Sequence, residues 1–392
     1  VSDSAPADGA PWIATCARGL EEILEREAVA AGLTVAGRET GGVAFRGDTT
    51  ACLIANWRLR TANRVLAELA SWPAADEQAL YGGARSLVLD GAGTTAGLPL
   101  ALAPGELLRP ERTFALAATS SRSALRDTRW IALRVKDGLV DAQRERFGRR
   151  ASVARERPDL PLRLRLRDDR ATLLVDTSGD PLDRRGYRIE STAAPLREQL
   201  AAAAVLASGW DGRGPVVDPM CGSGTLLAEA GAIALGLPPN RLRTGWAFER
   251  LPGFEHAALE RVRAAALPCP GPDVRLLGVD RDPAAVAAAR RNLAAAGLAE
   301  RARLEVGDAF AFEPPAGPGL LAVNPPHGER LAAAPDQWRR LGDLLKQRYR
   351  GWRAVVLAGG GDLGKHLGLK PARRIPVWNG PLEARILIFD LW

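Results

Sequence analysis

At 392 residues the chain is too long for one hydrophobic core and implies two or three domains, with 46% apolar and 25% charged residues as in ordinary globular proteins. No run of eighteen apolar residues is present, which argues against a membrane-spanning helix. The opening VSDSAPADGAPW lacks the basic and apolar regions of a secretory signal, so a cytoplasmic protein is expected. The net charge is +7 but the excess is local: residues 1–50 hold four Arg against eight acidic residues, whereas 109–170 hold seventeen Arg/Lys against nine Asp/Glu. A polyanion-binding face shows that kind of local excess, and so does the solvated surface of an Arg-biased chain, in which only four of 53 basic residues are Lys. Cys16, Cys52, Cys221 and Cys269 stand far apart, and with His256, His327 and His366 they form no metal-ligand spacing, so neither disulfide nor metal is expected.

In chain order, WIATCARGLEEILEREAVAAGL reads as a short strand and a helix, with Leu20, Ile23 and Leu24 at helical spacing and Gly32 as its stop. GVAFRGD reads as the next strand, a second helix is expected over about 49–70, and ELASWPAADEQALYGGARSL continues as another αβ unit. Thr113–Ala118 reads as a strand. Ser120 to Ser123 offer an N-cap, and Ile131, Val135 and Leu139 form the apolar stripe of a helix otherwise decorated by Arg122, Arg126, Arg129, Arg134 and Lys136. LPLRLRLR alternates with period two, the mark of a strand with one buried and one charged face. A turn at Arg167–Arg170 and the run Ala171–Thr177 complete a hairpin. Residues 1–178 therefore read as an α+β region with Arg-rich exposed faces.

The stretch 178–195, SGDPLDRRGYRIESTAAP, has the composition of a linker, and the domain boundary is placed near residue 190. Its Arg184, Arg185 and Arg188 fit phosphate contact and a solvated linker equally well. Strands and helices then alternate strictly, which argues for a parallel α/β sheet. GPVVDPMCGSGTLLAEAGAIAL is a strand ending in Asp218, a loop in which Gly222 and Gly224 permit close ligand approach, and a helix opened by Thr225. Leu226–Leu227 stand where a dinucleotide loop has its third Gly, and Asp218 suits a positively charged or amino-bearing ligand. The following strands end in Asp280, able to accept two ribose hydroxyl protons, and in Asp308, placed for an adenine amino group. A fourth leads into NPPHGERL, residues 324–331. VWNGPLEARILIFDLW reads as an Asn379–Gly380 hairpin whose strands run antiparallel to the rest.

An aromatic amino nitrogen is a poor nucleophile because its lone pair is delocalised into the ring. The Asn324 side-chain oxygen and the Pro325 carbonyl can each accept one N–H, and the two prolines fix the backbone without offering a competing donor. The plain alternative is a Pro-Pro turn after a strand.

The residues Asp218-Pro219-Met-Cys221-Gly222-Ser223-Gly224-Thr225, Asp280, Asp308 and Asn324-Pro-Pro-His-Gly-Glu-Arg-Leu331 resemble those of class I S-adenosylmethionine-dependent amino-methyltransferases. With ATCARGLEEIL, GGVAFRGD, RVKDGLVDA, LDRRGYR, APLREQLAAA and WNGPLEAR, the likeness is closer to the THUMP-domain guanine-N2 RNA methyltransferases. Among these it is closest to the bacterial 23S ribosomal RNA enzymes, and it covers nearly the whole chain. The resemblance implies a ferredoxin-like segment over 1–50, a THUMP RNA-binding domain over 51–178 and a linker over 179–190. It implies an α/β Rossmann-like methyltransferase domain with a mainly parallel seven-stranded sheet over 191–392. It implies S-adenosyl-L-methionine held by Asp218, Pro219, Cys221, Gly222, Ser223, Gly224, Thr225, Asp280, Asp308, Ala309 and Asn324, and a catalytic set of Asn324, Pro325, Pro326 and His327. RNA, as 23S rRNA or a ribosome assembly intermediate, would be held by Arg122, Arg126, Arg129, Lys136, Arg184, Arg185 and Arg188. His327 departs from the family, where Tyr is usual; imidazole offers a smaller stacking face but a hydrogen bond or a cation–π contact. Some members carry a second methyltransferase domain, and a single one is expected here. Three readings stay open: the rRNA enzyme, the same chemistry on a tRNA guanine or a protein glutamine amide, and a non-catalytic RNA-binding protein that kept the fold. The GERL continuation favours the ribosomal RNA enzymes over the tRNA ones, and the basic α+β region disfavours a protein substrate.

Overall fold

The computed structural model describes residues 10–91, 104–191, 195–326, 335–360, 363–379 and 382–392. Two seven-stranded sheets organise it. The first holds β1 (Ala10–Thr15), β2 (Thr34–Glu39), β3 (Gly42–Gly47), β4 (Arg64–Pro73), β5 (Phe114–Ser121), β6 (Leu160–Arg167) and β7 (Arg170–Asp176), in the order β2-β3-β1-β4-β7-β6-β5. Only β5 and β6 pair in parallel. The associated helices are α1 (Glu21–Ala30), α2 (Thr49–Arg58), α3 (Glu77–Leu89), the short α4 (Pro104–Leu107) and α5 (Thr128–Phe147).

Two local expectations change. The helix expected over 49–70 stops at Arg58, where Leu59 turns extended, and the rest of that stretch is β4. β4 lies between β1 and β7, consecutive residues Val65, Leu66 and Ala67 are buried so both its faces are covered, and a register shift between Glu68 and Ala70 breaks its alternation. A buried strand without period two is not separable from a buried helix by pattern alone. Likewise β5 runs on to Ser121, so the Ser120–Ser123 cap is not used: Asp127 caps α5, accepting from the amides of Arg129 and Trp130. Arg122 and Arg126 thus precede α5, while Ile131, Val135 and Leu139 form its buried stripe. The β6–β7 hairpin turns at Asp168 and Asp169, with φ of 51° and 56°, the left-handed pair that a two-residue hairpin loop requires. Edge strand β2, exposed at alternate positions, had no counterpart among the expected elements.

The second sheet holds β8 (Pro215–Asp218), β9 (Arg275–Asp280), β10 (Ala302–Val306), β11 (Leu320–Val323), β12 (Arg353–Gly359), β13 (Arg373–Asn379) and β14 (Leu382–Asp390), ordered β10-β9-β8-β11-β12-β14-β13. Its helices are α6 (Glu198–Ser208), α7 (Thr225–Ala234), α8 (His256–Ala264), α9 (Pro283–Ala295) and α10 (Pro335–Arg348). Five strands pair in parallel. Only β14 runs against them; β13, antiparallel to β14, runs with the rest, which corrects the expectation that both closing strands are reversed. The strand order turns back between β8 and β11, and such a switch point opens a crevice at the carboxyl ends of the strands.

The stretch read as a linker is packed rather than solvated: Leu182, Arg185 and Tyr187 are all buried. Arg185 donates to the carbonyls of Leu182 and Arg60, and its Nε lies 3.6 Å from Glu229 of α7. The Tyr187 hydroxyl donates to the same carboxylate at 3.0 Å. Arg60 in turn donates to the carbonyls of Ala232 and Leu237 at the end of α7. The other Arg185 nitrogens are spent on the carbonyls, while its Nε faces Glu229 without a hydrogen bond among the described residues. The pair ties the first sheet's region to the helix that follows the glycine loop. Among the described residues no helix is long and apolar enough to cross a membrane.

Candidate active site

Four neighbouring strands deliver polar groups to one edge. β8 ends at Asp218 and β9 at Asp280; Asp308 follows β10 and Asn324 follows β11. Asp218 is 1% exposed and accepts the Met220 amide at 3.1 Å. Burial pushes its carboxyl up to about 8; the Met220 hydrogen bond opposes this and the neighbouring Asp280 adds to it. No cationic side chain forms an ion pair with it among the described residues. Asp280 accepts the amides of Gly222 at 2.9 Å and Asp282 at 3.0 Å, one on each oxygen, so each oxygen keeps lone pairs for a ligand.

The glycine loop has its shape for a physical reason. Gly222 and Gly224 sit at φ +50° and +80°, and a side chain at Gly222 would project into open space, so there is room for a ligand against the backbone. Thr225 opens α7, whose first turn has no side-chain cap. Pro219 and the buried Ser223 hold the loop, and Cys221 is buried, its thiol pushed up by burial and by Asp218 and Asp280. Its contribution is therefore packing and backbone.

Asp308 is half exposed and accepts the Phe310 amide, while Ala309 is buried beside it. A cleft of about 470 Å³ opens there, lined by Arg281, Asp308, Phe310, Asp336, Gln337 and Arg340. The Arg340 guanidinium lies 4.0 Å over the Phe310 ring. At the switch point, the Asn324 side-chain oxygen is buried with no hydrogen-bond partner among the described residues. Pro325 is buried and Pro326 half-buried behind it. His327 and the GERL continuation lie outside the described residues. The edge thus offers a buried acid, a carboxylate suited to a diol, an acid beside an aromatic cleft and an orphaned acceptor. That set fits a ligand with an amino group, a ribose and a base, next to an acceptor for a second molecule's N–H.

A family model described as RMKL-like, methyltransferase domain, matches residues 185–387. Models described as RlmL ferredoxin-like domain and THUMP domain match residues 12–66 and 100–176. The chain belongs to the RMKL-like methyltransferase family. It is 38% identical over 404 residues to "Ribosomal RNA large subunit methyltransferase K/L" of Syntrophotalea carbinolica, covering 97% of this chain and 53% of that one. It is 35% identical over 392 residues to "Putative RNA methyltransferase slr0064" of Synechocystis sp., covering 97% of each. The chain spans about half the length of the K/L relatives it matches. Among solved structures it superposes on "SMU.472, a putative methyltransferase complexed with SAH" with a TM-score of 0.82 and 28% identity, over 98% of this chain and 99% of that one.

In this family member the basic residues expected to face RNA separate into two groups. Arg126 and Arg129 are exposed, with no ion-pair partner among the described residues, next to Trp130, which is 43% exposed. Arg122 is instead gripped by both oxygens of Asp168, at 2.7 and 2.6 Å, and Lys136 pairs with Asp137 at 3.0 Å. Arg184 is exposed and 3.6 Å from Asp180. Arg185, 1% exposed, is a correction: it is an internal strut, inaccessible to RNA. Arg188, mostly covered, is committed to Glu198 and the Leu196 carbonyl.

One residue of the site was missed. Asn292 of α9 is 1% exposed and uses its whole amide. Its oxygen accepts the amides of Ile189 and Glu190, and its nitrogen donates to the carbonyls of Glu190 and Ser223. It clamps the glycine loop to the segment leading into α6. The readable signal was a polar residue at helical spacing among Ala285, Ala288 and Ala289 on the apolar stripe.

Proposed function

We propose that the chain transfers a methyl group from S-adenosyl-L-methionine to the exocyclic N2 of a guanosine in RNA, most specifically in 23S ribosomal RNA. The observation that carries this reading is the buried Asn324 oxygen at the switch point of the sheet, which has no partner among the described residues. A buried acceptor without a partner costs stability unless a ligand completes it. S-adenosylmethionine, when bound, supplies an electrophilic methyl on a sulfonium. Asp218 meets the ligand's ammonium group, Asp280 the ribose hydroxyls and Asp308 the adenine amino group, while Gly222 leaves space against the backbone. Asn324 would accept one N–H of the guanine amino group and the Pro325 carbonyl the other, drawing the lone pair out of conjugation and toward the methyl. The N–C bond forms as the S–C bond breaks, S-adenosylhomocysteine leaves, and the nitrogen gives up one proton to solvent. Rate enhancement then comes from positioning and electrostatics without a covalent intermediate. His327 is the proposed platform for the base.

RNA as substrate is supported by the THUMP match, by the relatives' names and by the exposed Arg126 and Arg129, which have no ion-pair partner among the described residues. A folded RNA gripped there would present a base unstacked into the pocket, in the cytoplasm where such RNA is made. The test incubates the protein with labelled S-adenosylmethionine and separate 23S, 16S and tRNA pools, then digests and identifies the labelled nucleoside. N2-methylguanosine confined to 23S rRNA is expected. Label only in tRNA would move the substrate, and RNA binding without label in any pool would leave a binding protein.

A further inference from the structure

The region of the first sheet closes on the second sheet at a place that none of the expected RNA contacts covers. The turn between β1 and α1 lies against edge strand β13, where the Trp378 amide donates to the Arg18 carbonyl at 3.0 Å. Gly19 sits at φ +93°, and a Cβ there would fall 1.9 Å from the Pro376 carbonyl oxygen, so no other residue allows this approach. The contact lays the Arg18 guanidinium over the Trp378 indole, 4.3 Å from its centroid.

Arg18 is exposed, and no carboxylate pairs with it among the described residues, although two acids follow it closely. Both are committed elsewhere. Glu21 accepts the amides of Gly19 and Gly41, each at 2.8 Å. Glu22 pairs with Arg26 and with Arg373 of β13. The turn therefore holds a cation extended on an aromatic face while withholding the anions that would neutralise it.

Its position gives that charge a use. β13 runs parallel to β11, so Trp378 near its carboxyl end stands on the same edge of the sheet as Asn324. Three strand steps separate the two laterally, and the register sets Asn324 level with Ile375, three residues short of Trp378, so they stand roughly 17 Å apart at the usual strand spacing and rise. We propose that Arg18, braced on Trp378, contacts a backbone phosphate of the substrate RNA in the nucleotides flanking the base held at Asn324. The proposal rests on the RNA reading above and adds a contact made jointly by the two halves of the molecule.

The full chain is tested with 23S rRNA transcript, by filter binding between 50 and 200 mM salt and by methyl-transfer kinetics. Arg18→Ala is expected to raise KM for RNA roughly three- to tenfold and to lower the slope of log affinity against log salt by about one, as loss of one phosphate contact does. Arg18→Lys keeps the charge and should restore most of the slope, and Arg18→Glu should bind more weakly than Arg18→Ala. Arg26→Ala, a neighbouring arginine paired with Glu22, serves as the control. An Arg18→Ala protein with wild-type RNA KM and salt slope overturns the proposal, even if its melting temperature falls, because it would make the pair a staple between the two halves. An equal loss in Arg26→Ala overturns it as well, as a non-specific charge effect. If the wild-type protein neither binds nor labels RNA, the proposed function falls first; if it labels RNA and Arg18→Ala is unaffected, only this contact falls.

Discussion

The Arg-rich strand of the first sheet and the carboxyl edge of the second treat their polar side chains differently. In the first, the arginines that alternate with leucine along β6 find carboxylates nearby: Arg163 meets Asp176, Arg165 meets Glu39 and Arg167 meets Asp168. In the second, polar groups gather at one edge and keep bonding capacity in reserve, with Asp218 buried and Asn324 Oδ1 unpartnered among the described residues. A satisfied polar group holds a fold together, whereas a buried one left short lowers stability unless a ligand or water completes it.

The largest effect should come from the edge. Asn324→Ala is expected to lower the single-turnover rate of methyl transfer by about two to three orders of magnitude, the usual loss when one preorganised hydrogen-bonding group is removed. A fully active variant would erase the contrast between the sheets. Asp218→Asn should weaken binding of S-adenosylmethionine, and pH gives this a second signature. The Asp218 carboxyl is raised in the fold from its ordinary 3.8 to about 8, so its contribution to stability is full below about 4 and is lost as pH rises to about 8. Without ligand, the melting temperature of Asp218→Asn should therefore gain on wild type between pH 5 and 8 and stay level above. A constant difference across that range would mean the carboxyl is not raised.

Arg185→Ala probes the strut between the halves. It removes the cation nearest the buried Glu229 and should cost about 3 kcal/mol in urea unfolding, while exposed Arg184→Ala should cost almost nothing. The smallest effects concern the RNA face. Arg126→Ala and Arg129→Ala should each raise KM for RNA roughly threefold, with a shallower salt dependence. Arg122→Ala, whose guanidinium is already held by Asp168, should change it less. Equal effects at all three would show that Asp168 does not hold Arg122 back.

Much of the edge was legible beforehand because each piece is local. A strand ending in Asp218, two glycines and a helix-opening Thr225 fall within eight residues, and Asp280, Asp308 and Asn324 each close a short apolar run. The Leu/Arg alternation of β6 was equally plain, since one face of that strand is buried and the other is not. β4 was not, because a strand covered on both faces loses its period. Nor was the fate of individual arginines, for Arg165 and Glu39 are 126 residues apart in sequence.

The sequence alone determined which chemistry collects at strand ends, because strand direction and loop shape follow from nearby residues. The tertiary structure decided which charges remain available. Arg185 and Arg184 are adjacent in the chain, yet one is sealed against Glu229 and the other stands in solvent. Arg18 has no carboxylate partner among the described residues, and Glu21 and Glu22 nearby are held by Gly41 and Arg373, which folding brings to them. Whether a charge is neutralised depends on what lies within a few ångströms, and that is set by how distant segments pack.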